Sequence, residues 1–467
     1  MSDPLWNAVD AAAATGGRSR RHWRAERVSI DSRDTRSGDL FVAIVGPERD
    51  GHDFVERALA EGAAAAVVAR QPEGIDDDAP LLLVDDTMAA LEALGRAGRK
   101  RAGARIVGIT GSVGKTGSKE ALRRICAAVG PTHASAASHN NHWGVPLSLA
   151  NLPADAAFGI FEMGMNHAGE IAALTRQVRP HVALVTAIAP AHMAFFADIE
   201  AVAAAKAEIF EGLEPDGVAI VPAEAPAADR LCARAEKLGR RVVRFGERAD
   251  CDVRLLDADL HADDSRVRAV VHGREITFAL GIPGRHWVSN ALGLLAAGDV
   301  LGLPLEGVLE VLGQLRATAG RGARETVALA SGGDFVLLDE SYNANPRSME
   351  AALEVLERLP GRHLAVLGDM LELGEASADL HAGLADAVRR AKVAHLFACG
   401  PLMAHLCRHL TDVACTHADR VEGLLDDLRA ALRPGDAVLV KGSLGSRMAV
   451  AVDALRTQGG AVTGRGR

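Results

Sequence analysis

A glycine-rich segment near residue 110 restricts the possible folds of this chain more than any other stretch. Residues 105–119 read RIVGITGSVGKTGSK, an apolar run that breaks into glycines and then resumes with helical spacing. This order predicts a strand, a tight loop and a helix. Gly111 and Gly114 let the loop point its backbone amides inward, where the helix dipole favours a polyphosphate. Lys115 would reach the terminal phosphates, and the hydroxyl of Thr116 is a suitable ligand for Mg2+. A plain glycine turn before a helix is the alternative, and we take ATP binding as the working hypothesis.

Predicted strands alternate with predicted helices through most of the chain, which is typical of a mostly parallel sheet covered by helices. Residues 253–280 interrupt the alternation with short segments of period two, which predict antiparallel hairpins that we interpret as an appended flap. From about residue 317 the alternation begins again and predicts a second open α/β sheet. The predicted strands of the first sheet, each followed by a helical segment, are 105–110, 157–163, 181–188, 217–221 and 241–245.

The length of 467 residues exceeds what one ordinary hydrophobic core can hold. We therefore predict an α/β protein with three domains. The first is a small mixed α/β domain over residues 1–103. The second, over 104–316, is a central mostly parallel P-loop sheet with a hairpin insertion. The third, over 317–467, is a Rossmann-like α/β domain.

Composition argues against several classes of function. The chain has no run of about eighteen apolar residues, and its N-terminus lacks the basic and apolar regions of a signal peptide, so we expect no membrane insertion. A net charge of −9 disfavours nucleic acid as a partner. Six cysteines without a C-x-x-C pair predict buried thiols in a reducing compartment. We expect a cytoplasmic protein, monomeric by default, that binds small anionic ligands in a local positive pocket.

Three polar side chains follow or accompany the predicted strands of the first sheet. Glu162 ends the strand 157–163, and a carboxylate there can reach a Mg2+ ion held by Thr116, although a solvated strand-end acid is the alternative. His192 follows the strand 181–188 at the same edge, where a neutral imidazole can ligate a second cation, although lone histidines are usually structural or surface groups. Lys206 lies in a helix otherwise poor in charge, and from the residues alone a solvated lysine is the default.

Two further polar segments have two interpretations each, and two loops have one. Asn140 and Asn141 supply paired amides that suit the orientation of a polar substrate, or they form an Asx turn before Pro146. His286 and Asn290 share one face of a predicted helix and either flank an adenine or cap and pack that helix. The loops 339–346 and 368–374 follow strands of the second sheet at their carboxyl ends, where open α/β sheets bind ligands.

Read in chain order, these motifs resemble those of the Mur ligases. The loops 342–346 (YNANP) and 368–374 (GDMLELG) make the chain similar to the MurF branch of that family. The resemblance covers nearly the whole chain and is carried by the segments 31–33, 38–41, 110–116, 140–141, 162–167, 191–192, 206–210, 283–286, 341–346, 368–374 and 441–443.

The resemblance implies an ATP-dependent, Mg2+-requiring peptide ligase with three domains. The N-terminal domain would hold a uridine nucleotide, the central one ATP, and the C-terminal one an amine substrate. The implied reaction joins D-Ala-D-Ala to the C-terminal carboxylate of UDP-MurNAc-tripeptide through an acyl phosphate and releases ADP. Two alternatives remain open at this point. One is a sibling amide ligase, either the type that adds the third residue or the folylpolyglutamate synthase type, and the other is a module that uses ATP only as a switch.

The resemblance also assigns roles to residues. It implies that Lys206 is carbamylated and holds a second Mg2+ together with His192. Glu340 stands where a second aspartate is usual, which leaves open whether Asp339 or Glu340 contacts the nucleotide. The implied catalytic residues are Lys115, His192 and Lys206, and the implied metal ligands are Thr116, Glu162, His192 and Lys206. The implied nucleotide-binding residues are Thr110, Gly111, Ser112, Val113, Gly114, Lys115, Thr116, His286, Asn290, Arg321 and Asp339. The implied substrate-binding residues are Ser32, Arg33, Asn140, Asn141, Tyr342, Asn343 and Asn345.

Overall fold

The structure is a computed structural model that describes residues 4–136, 138–190 and 193–457. Within these residues the strands form sheets of nine, six, five and two strands, and most neighbouring strands in the three larger sheets are parallel. Helices pack on both faces of the nine-stranded sheet, because its strands carry buried apolar side chains on both faces. The predicted α/β class with mostly parallel sheets is confirmed.

The first region is built on a five-stranded sheet in the order β2-β7-β6-β5-β4, with β1 and β3 paired beside it. Helix α1 begins after Asn7, whose side-chain oxygen accepts hydrogen bonds from two first-turn amides, and α3 begins in the same way after Asp86. The elements are β1 (Trp6–Asn7), α1 (Ala8–Thr15), β2 (Arg18–Ser19), β3 (Arg24–Ala25), β4 (Arg27–Ser29), β5 (Asp39–Val42), α2 (Val55–Ala60), β6 (Ala65–Val68), β7 (Leu81–Leu83) and α3 (Thr87–Arg101).

The second region is the nine-stranded sheet, in the order β16-β15-β14-β13-β12-β11-β8-β10-β9. Its elements are β8 (Arg105–Thr110), α4 (Lys115–Ala127), β9 (Thr132–Ala134), α5 (Gly144–Ala150), β10 (Phe158–Glu162), α6 (Glu170–Val178), β11 (Val182–Val185), α7 (Ile199–Ala207), β12 (Val218–Pro222), α8 (Ala228–Lys237), β13 (Arg241–Gly246), β14 (Val253–Leu260), β15 (Ser265–Val271), β16 (Arg274–Leu280), α9 (Arg285–Val300) and α10 (Leu305–Gly313).

The register of this sheet brings three strand tips to one edge. Strand β8 lies between β10 and β11, and all three run parallel. Glu162 stands opposite Ile109, and Val185 stands opposite Thr110. The glycine loop, the end of β10 and the segment after β11 therefore meet at the carboxyl edge of the sheet.

The hairpin segment 253–280 is antiparallel, as predicted, but its interpretation as an appended flap is wrong. Strand β14 pairs in parallel with the end of β13, and β15 and β16 continue the same sheet. Alternate side chains such as Val267 and Phe278 are buried in the main core. The segment is thus the edge of the central sheet, because its apolar face is covered by α9 and α10.

The prediction of a helix after the strand 241–245 is also wrong, since β14 follows β13 directly.

The third region is a six-stranded sheet in the order β17-β18-β22-β19-β20-β21, parallel except for the edge strand β17. Between β19 and β20 the chain forms two short helices, α12 and α13, which are separated by Gly383 and Leu384. The elements are β17 (Ala323–Ala328), β18 (Asp334–Glu340), α11 (Pro346–Glu357), β19 (His363–Gly368), α12 (Ser377–Ala382), α13 (Ala385–Arg390), β20 (Val393–Cys399), α14 (Met403–His409), β21 (Ala414–Ala418), α15 (Leu425–Ala431), β22 (Ala437–Lys441) and α16 (Ala449–Arg456).

The prediction that all six cysteines are buried thiols is also wrong. Cys407 in α14 and Cys415 in β21 form a disulfide, because the two elements bring their Cα atoms to 6.0 Å. Cys251 is only partly buried, whereas the other three cysteines are buried thiols.

As for membrane association, none of the helices found in the described residues combines the length and the apolar character needed to cross a bilayer.

Candidate active site

The loop between β8 and α4 has the backbone geometry of a phosphate cradle. Gly111 and Gly114 adopt positive φ angles of 151° and 86°. A Cβ atom on Gly111 would lie 2.0 Å from Oγ1 of Thr186, and one on Gly114 would lie 2.7 Å from Oδ1 of Asn290. Only glycine fits both the backbone angles and the space at these positions. The loop can therefore pack against β11 and α9 while its amides precede the first turn of α4.

We expect Gly111→Ala to weaken nucleotide binding severely. The added methyl group must push Thr186 away, and the loop would then lose the shape that surrounds a phosphate. Loss of one hydrogen bond between a loop amide and a phosphate already weakens binding about tenfold. The apparent KM for ATP should therefore rise by at least that factor. Gly103→Ala is a matched control, because a Cβ there meets no atom within 4 Å. Equal ATP dependence in the two variants would contradict the assignment of this loop.

Thr116, Glu162 and Asn140 are joined by hydrogen bonds at the sheet edge. The hydroxyl of Thr116 donates to Oε2 of Glu162 at 2.8 Å, and the amide nitrogen of Asn140 donates to Oε1 of the same carboxylate at 2.7 Å. Glu162 is almost fully buried, so a solvated strand-end acid is excluded. The proximity of Glu162 and Thr116 follows from the parallel register, and their role as metal ligands stays a prediction.

Two lysines lie at the cavity beside this carboxylate. The ammonium group of Lys115 donates to the carbonyl of Gly111 at 2.7 Å, and burial lowers its pKa, as does the nearby Arg321, while Glu162 raises it. Lys206 in α7 is buried, and burial together with Lys115 lowers its pKa well below the ordinary value. The default expectation of a solvated Lys206 is therefore wrong. None of the described residues accepts a hydrogen bond from its amine.

The first turns of α9 form the wall opposite the glycine loop. Asn290 is buried against Gly114, and Trp287 packs on Gly117, where a Cβ would lie 2.8 Å from the indole ring. His286 also lines the cavity, and burial lowers its pKa. The i, i+4 spacing predicted for His286 and Asn290 thus places both on the cavity side of the helix.

Residues of the third region complete the cavity. The guanidinium group of Arg321 lies 3.9 Å from the ring centre of Tyr342 and donates to Oγ of Ser138 at 3.2 Å. The phenol of Tyr342 donates to the same Ser138 oxygen at 2.8 Å. These contacts join the third sheet to the loop that carries Asn140. They also bring the positive charge of Arg321 close to Lys115.

Of the two acids left open by the sequence, Glu340 lines the cavity and Asp339 does not. Asp339 is buried and accepts hydrogen bonds from the backbone of Gly320 and from Ser341. Glu340 instead accepts a hydrogen bond from the buried ammonium group of Lys441 at 3.2 Å. The geometry therefore favours Glu340 as the acid that faces a ligand, and Asp339 has a structural position.

Several residues assigned by resemblance lie on the cavity wall but have local partners. Asn345 caps α11, where its side chain accepts a hydrogen bond from the amide of Ser348, and its own backbone amide donates to Oγ of Ser348. Asn343 accepts from the neighbouring amide of Ala344. Asn345 therefore caps a helix and also lines the cavity, together with Tyr342 and Asn343.

Other assigned residues lie away from this cavity. Ser32 is buried after β4, and Arg33 is exposed and paired with Asp31 at 2.7 Å. The hydrogen bond from Arg33 lowers the pKa of Asp31 to about 2.

Two assigned residues of the second region, Asn141 and Thr110, also do not line the cavity. The side-chain oxygen of Asn141 accepts a hydrogen bond from the amide of Gly144 in the predicted turn. Thr110 is fully buried below the loop, and its hydroxyl donates to the carbonyl of Met163. His192 lies outside the described residues.

The cavity has a volume of about 600 Å³, which is in the range of small-ligand sites, roughly 300–1,000 Å³. Its walls come from the central sheet, from α9 and from the third region. Sequence reasoning missed Ser138 and Thr186 because each contacts residues distant in sequence, although Thr186 follows a strand tip and Ser138 lies in the polar segment before Asn140. The sequence-assigned residues that line the cavity are Ser112, Val113, Gly114, Lys115, Thr116, Asn140, Glu162, Lys206, His286, Asn290, Arg321, Tyr342, Asn343 and Asn345.

Comparison with known proteins agrees with this arrangement. Three family models match in chain order: the Mur ligase family catalytic domain over residues 24–99, the Mur ligase middle domain over 109–298, and the Mur ligase glutamate ligase domain over 324–444. The chain is similar to the UDP-N-acetylmuramoyl-tripeptide–D-alanyl-D-alanine ligase of Escherichia coli (strain K12). The two are 36% identical over 445 residues, which cover 93% of this chain and 94% of the relative.

Solved structures show the same similarity. A crystal structure of MurF from Acinetobacter baumannii matches with a TM-score of 0.86 at 30% identity, and the match covers 97% of this chain and 98% of that one. The structure of MurF ligase from Thermotoga maritima in complex with ADP matches with a TM-score of 0.77 at 26% identity, over 92% and 97% of the two chains.

Proposed function

The chain belongs to the Mur ligase family, and on this basis we propose that it joins D-Ala-D-Ala to the C-terminal carboxylate of UDP-MurNAc-tripeptide at the expense of ATP. The products are UDP-MurNAc-pentapeptide, a precursor of peptidoglycan, together with ADP and phosphate. The observation that carries the proposal is the convergence of the glycine loop, Lys115 and the Thr116–Glu162 pair in one cavity closed by the third region. Relatives that match over nearly their whole length and are named as ligases of this activity support the proposal.

The reaction requires a carboxylate to become a good acyl donor. An oxygen of the tripeptide carboxylate attacks the γ-phosphorus of ATP, the bond from that phosphorus to the β,γ-bridging oxygen breaks, and ADP leaves. The amine of the dipeptide then attacks the acyl carbon, and phosphate leaves as the amide forms. Lys115 and Arg321 supply positive charge on the side of the cavity where the transferred phosphoryl group would lie, which stabilises charge as it develops.

The donor set fits Mg2+ bound together with phosphate. Among the described residues no cluster of three or more His, Cys, Asp or Glu side chains could hold a metal ion alone. Mg2+ usually binds through one or two protein oxygens plus substrate phosphates and water, which matches the hydroxyl of Thr116 and the carboxylate of Glu162. When bound, the ion would neutralise charge on the phosphate oxygens.

We further propose that Lys206 is carbamylated and that it serves with His192 as ligand of a second Mg2+. A buried amine whose pKa is lowered is neutral more of the time, and the neutral amine is the form that adds CO2 and releases one proton. The resulting carbamate is an anionic oxygen donor, and it removes the repulsion between Lys206 and Lys115. Lys206 lies in the same cavity as Glu162, which supports the proposal.

The division of labour among the three regions is part of the proposal. We propose domains at 1–103, 104–316 and 317–467, because each large sheet lies within one of these ranges. Ser32 and Arg33, which lie outside the central cavity, would contact the uridine nucleotide. Asn140, Asn141, Tyr342, Asn343 and Asn345 would contact the joined substrates. We also propose that the enzyme acts as a cytoplasmic monomer.

An assay of ADP release across pairs of substrates tests the function. We expect turnover with UDP-MurNAc-tripeptide and D-Ala-D-Ala, and none when either is omitted. A ligase that adds the third residue would instead require a dipeptide acceptor with a single amino acid. A folylpolyglutamate synthase type would require a folate with glutamate. ADP release in the absence of any amine substrate would indicate a module that uses ATP only as a switch, and it would contradict the proposal.

A further inference from the structure

The backbone of Glu162 extends beyond the strand next to it. Strand β9 ends at Ala134, which pairs with Ile160 of β10, so Glu162 lies two residues past the last strand pair on that side. A buried amide in such a position needs another acceptor. The acceptor of this amide hydrogen bond fixes the backbone of Glu162, and therefore the position of its carboxylate.

A serine side chain continues the pairing where β9 stops. The amide of Ser135 donates to the carbonyl of Ile160 at 3.0 Å, which is the bond that a further strand residue would make. The amide of Glu162 then donates to Oγ of Ser135 at 3.1 Å. Ser135 is 2% exposed, so water does not compete for these bonds. The hydroxyl thus substitutes for a strand at the residue that carries the predicted metal ligand.

A fully buried lysine holds this serine from the other side. Lys119 lies in α4, one turn after Lys115, with a side chain that is 0% exposed. Its ammonium group donates to the carbonyl of Ser135 at 2.6 Å and lies 3.0 Å from Oε1 of Glu120. Burial of a lysine charge is costly, and an apolar side chain would fill the space at lower cost. The hydrogen bond from this ammonium group ties the Ser135 backbone to α4.

These bonds connect the two oxygen donors of the proposed magnesium site. Thr116 and Lys119 lie in the same helix, and Lys119 fixes Ser135, which fixes Glu162. We propose that Lys119 and Ser135 are positioning residues that hold the carboxylate of Glu162 in register with Thr116 for the metal–nucleotide complex. The inference rests on the proposed function of this cavity, and it concerns residues to which that function assigns no role.

The test measures the metal dependence of Ser135→Ala. Loss of a side chain that orients a metal ligand typically costs about 10- to 100-fold in metal affinity or activity. We expect the Mg2+ concentration for half-maximal ligation to rise in that range, with the KM for UDP-MurNAc-tripeptide unchanged. Ser135→Thr keeps the hydroxyl and should restore the wild-type dependence. Lys119→Met should shift the Mg2+ dependence in the same direction as Ser135→Ala.

Ser148→Ala is the matched control. Ser148 is also buried, and its hydroxyl donates to the carbonyl of Gly144 within α5 rather than to β10. A second readout does not depend on turnover: Mn2+ binding by electron paramagnetic resonance in the presence of a non-hydrolysable ATP analogue. Weaker Mn2+ binding in Ser135→Ala than in Ser148→Ala is the expected result, and equal binding would overturn the inference. If the wild type binds Mn2+ with the analogue but makes no peptide product, the proposed function fails while the positioning role is still measured.

Discussion

Replacement of Lys115 by alanine will reduce ATP-dependent ligation by about a thousandfold and leave the fold intact. The ammonium group lies at the glycine loop, and loss of one preorganised donor to a developing anion typically costs roughly 10²–10³-fold in rate. Because burial lowers its pKa, the charged form of Lys115 is disfavoured in the folded protein. The variant should therefore unfold at a temperature no lower than the wild type. Steady-state kinetics and thermal unfolding measure the two effects.

Lys100→Ala is the control for this experiment, since Lys100 is exposed near the end of α3. It should match the wild type in rate and in melting temperature. Near-normal turnover of Lys115→Ala would mean that the loop does not act on the transferred phosphate. In that case the assignment of the nucleotide site would be wrong.

Replacement of Lys206 by alanine will nearly abolish ligation, and a short carboxylic acid such as acetate will restore part of it. The alanine removes the carbamate oxygen donor, and a free carboxylate can enter the space that the side chain leaves. Removal of a side chain that only orients a metal ligand typically costs about 10- to 100-fold in activity. Because Lys206→Ala removes a ligand itself, we expect its activity to fall by at least about a hundredfold. Carbon-13 NMR of enzyme in labelled bicarbonate should show a carbamate signal that the variant lacks.

The carbamate also predicts a dependence on pH. As pH falls, the amine of Lys206 takes up a proton and the carbamate reverts to CO2 and ammonium, so the NMR signal and the activity should decline together. Because the pKa of Lys206 is lowered well below its ordinary value, this decline lies at lower pH than for an exposed lysine. Acetate should have no effect on Lys100→Ala. Full activity of Lys206→Ala without acetate would contradict the proposed carbamate.

Much of the fold was predictable from the sequence, because local patterns determine it. The strand, loop and helix at 105–127 follow from an apolar run, two glycines and a helical repeat, and the observed β8 and α4 agree. Strand β9 was missed because it is an edge strand with polar residues, and the segment Thr132–Ala134 carries no apolar alternation. The hairpins at 253–280 were predicted as strands, but their junction with β13 depends on packing against α9 and α10.

The candidate site was predictable only as far as sheet geometry allows. Parallel strands end at one edge, so the proximity of Glu162 to Thr116 followed from their positions after neighbouring strands. The burial of Lys206 could not be predicted from its helix, because it depends on the surrounding elements of the tertiary fold. Likewise, the contact of Tyr342 with Ser138 joins residues 204 positions apart. Such contacts depend on how the third region packs on the central sheet.

The most direct test of the account follows oxygen atoms through the reaction. UDP-MurNAc-tripeptide with oxygen-18 in its terminal carboxylate is incubated with the enzyme, ATP, Mg2+ and D-Ala-D-Ala, and the products are analysed by mass spectrometry. We predict one molecule of pentapeptide product for each ADP, with one labelled oxygen in each molecule of released phosphate. ATP consumption with unlabelled phosphate, or without a new peptide bond, would contradict the account.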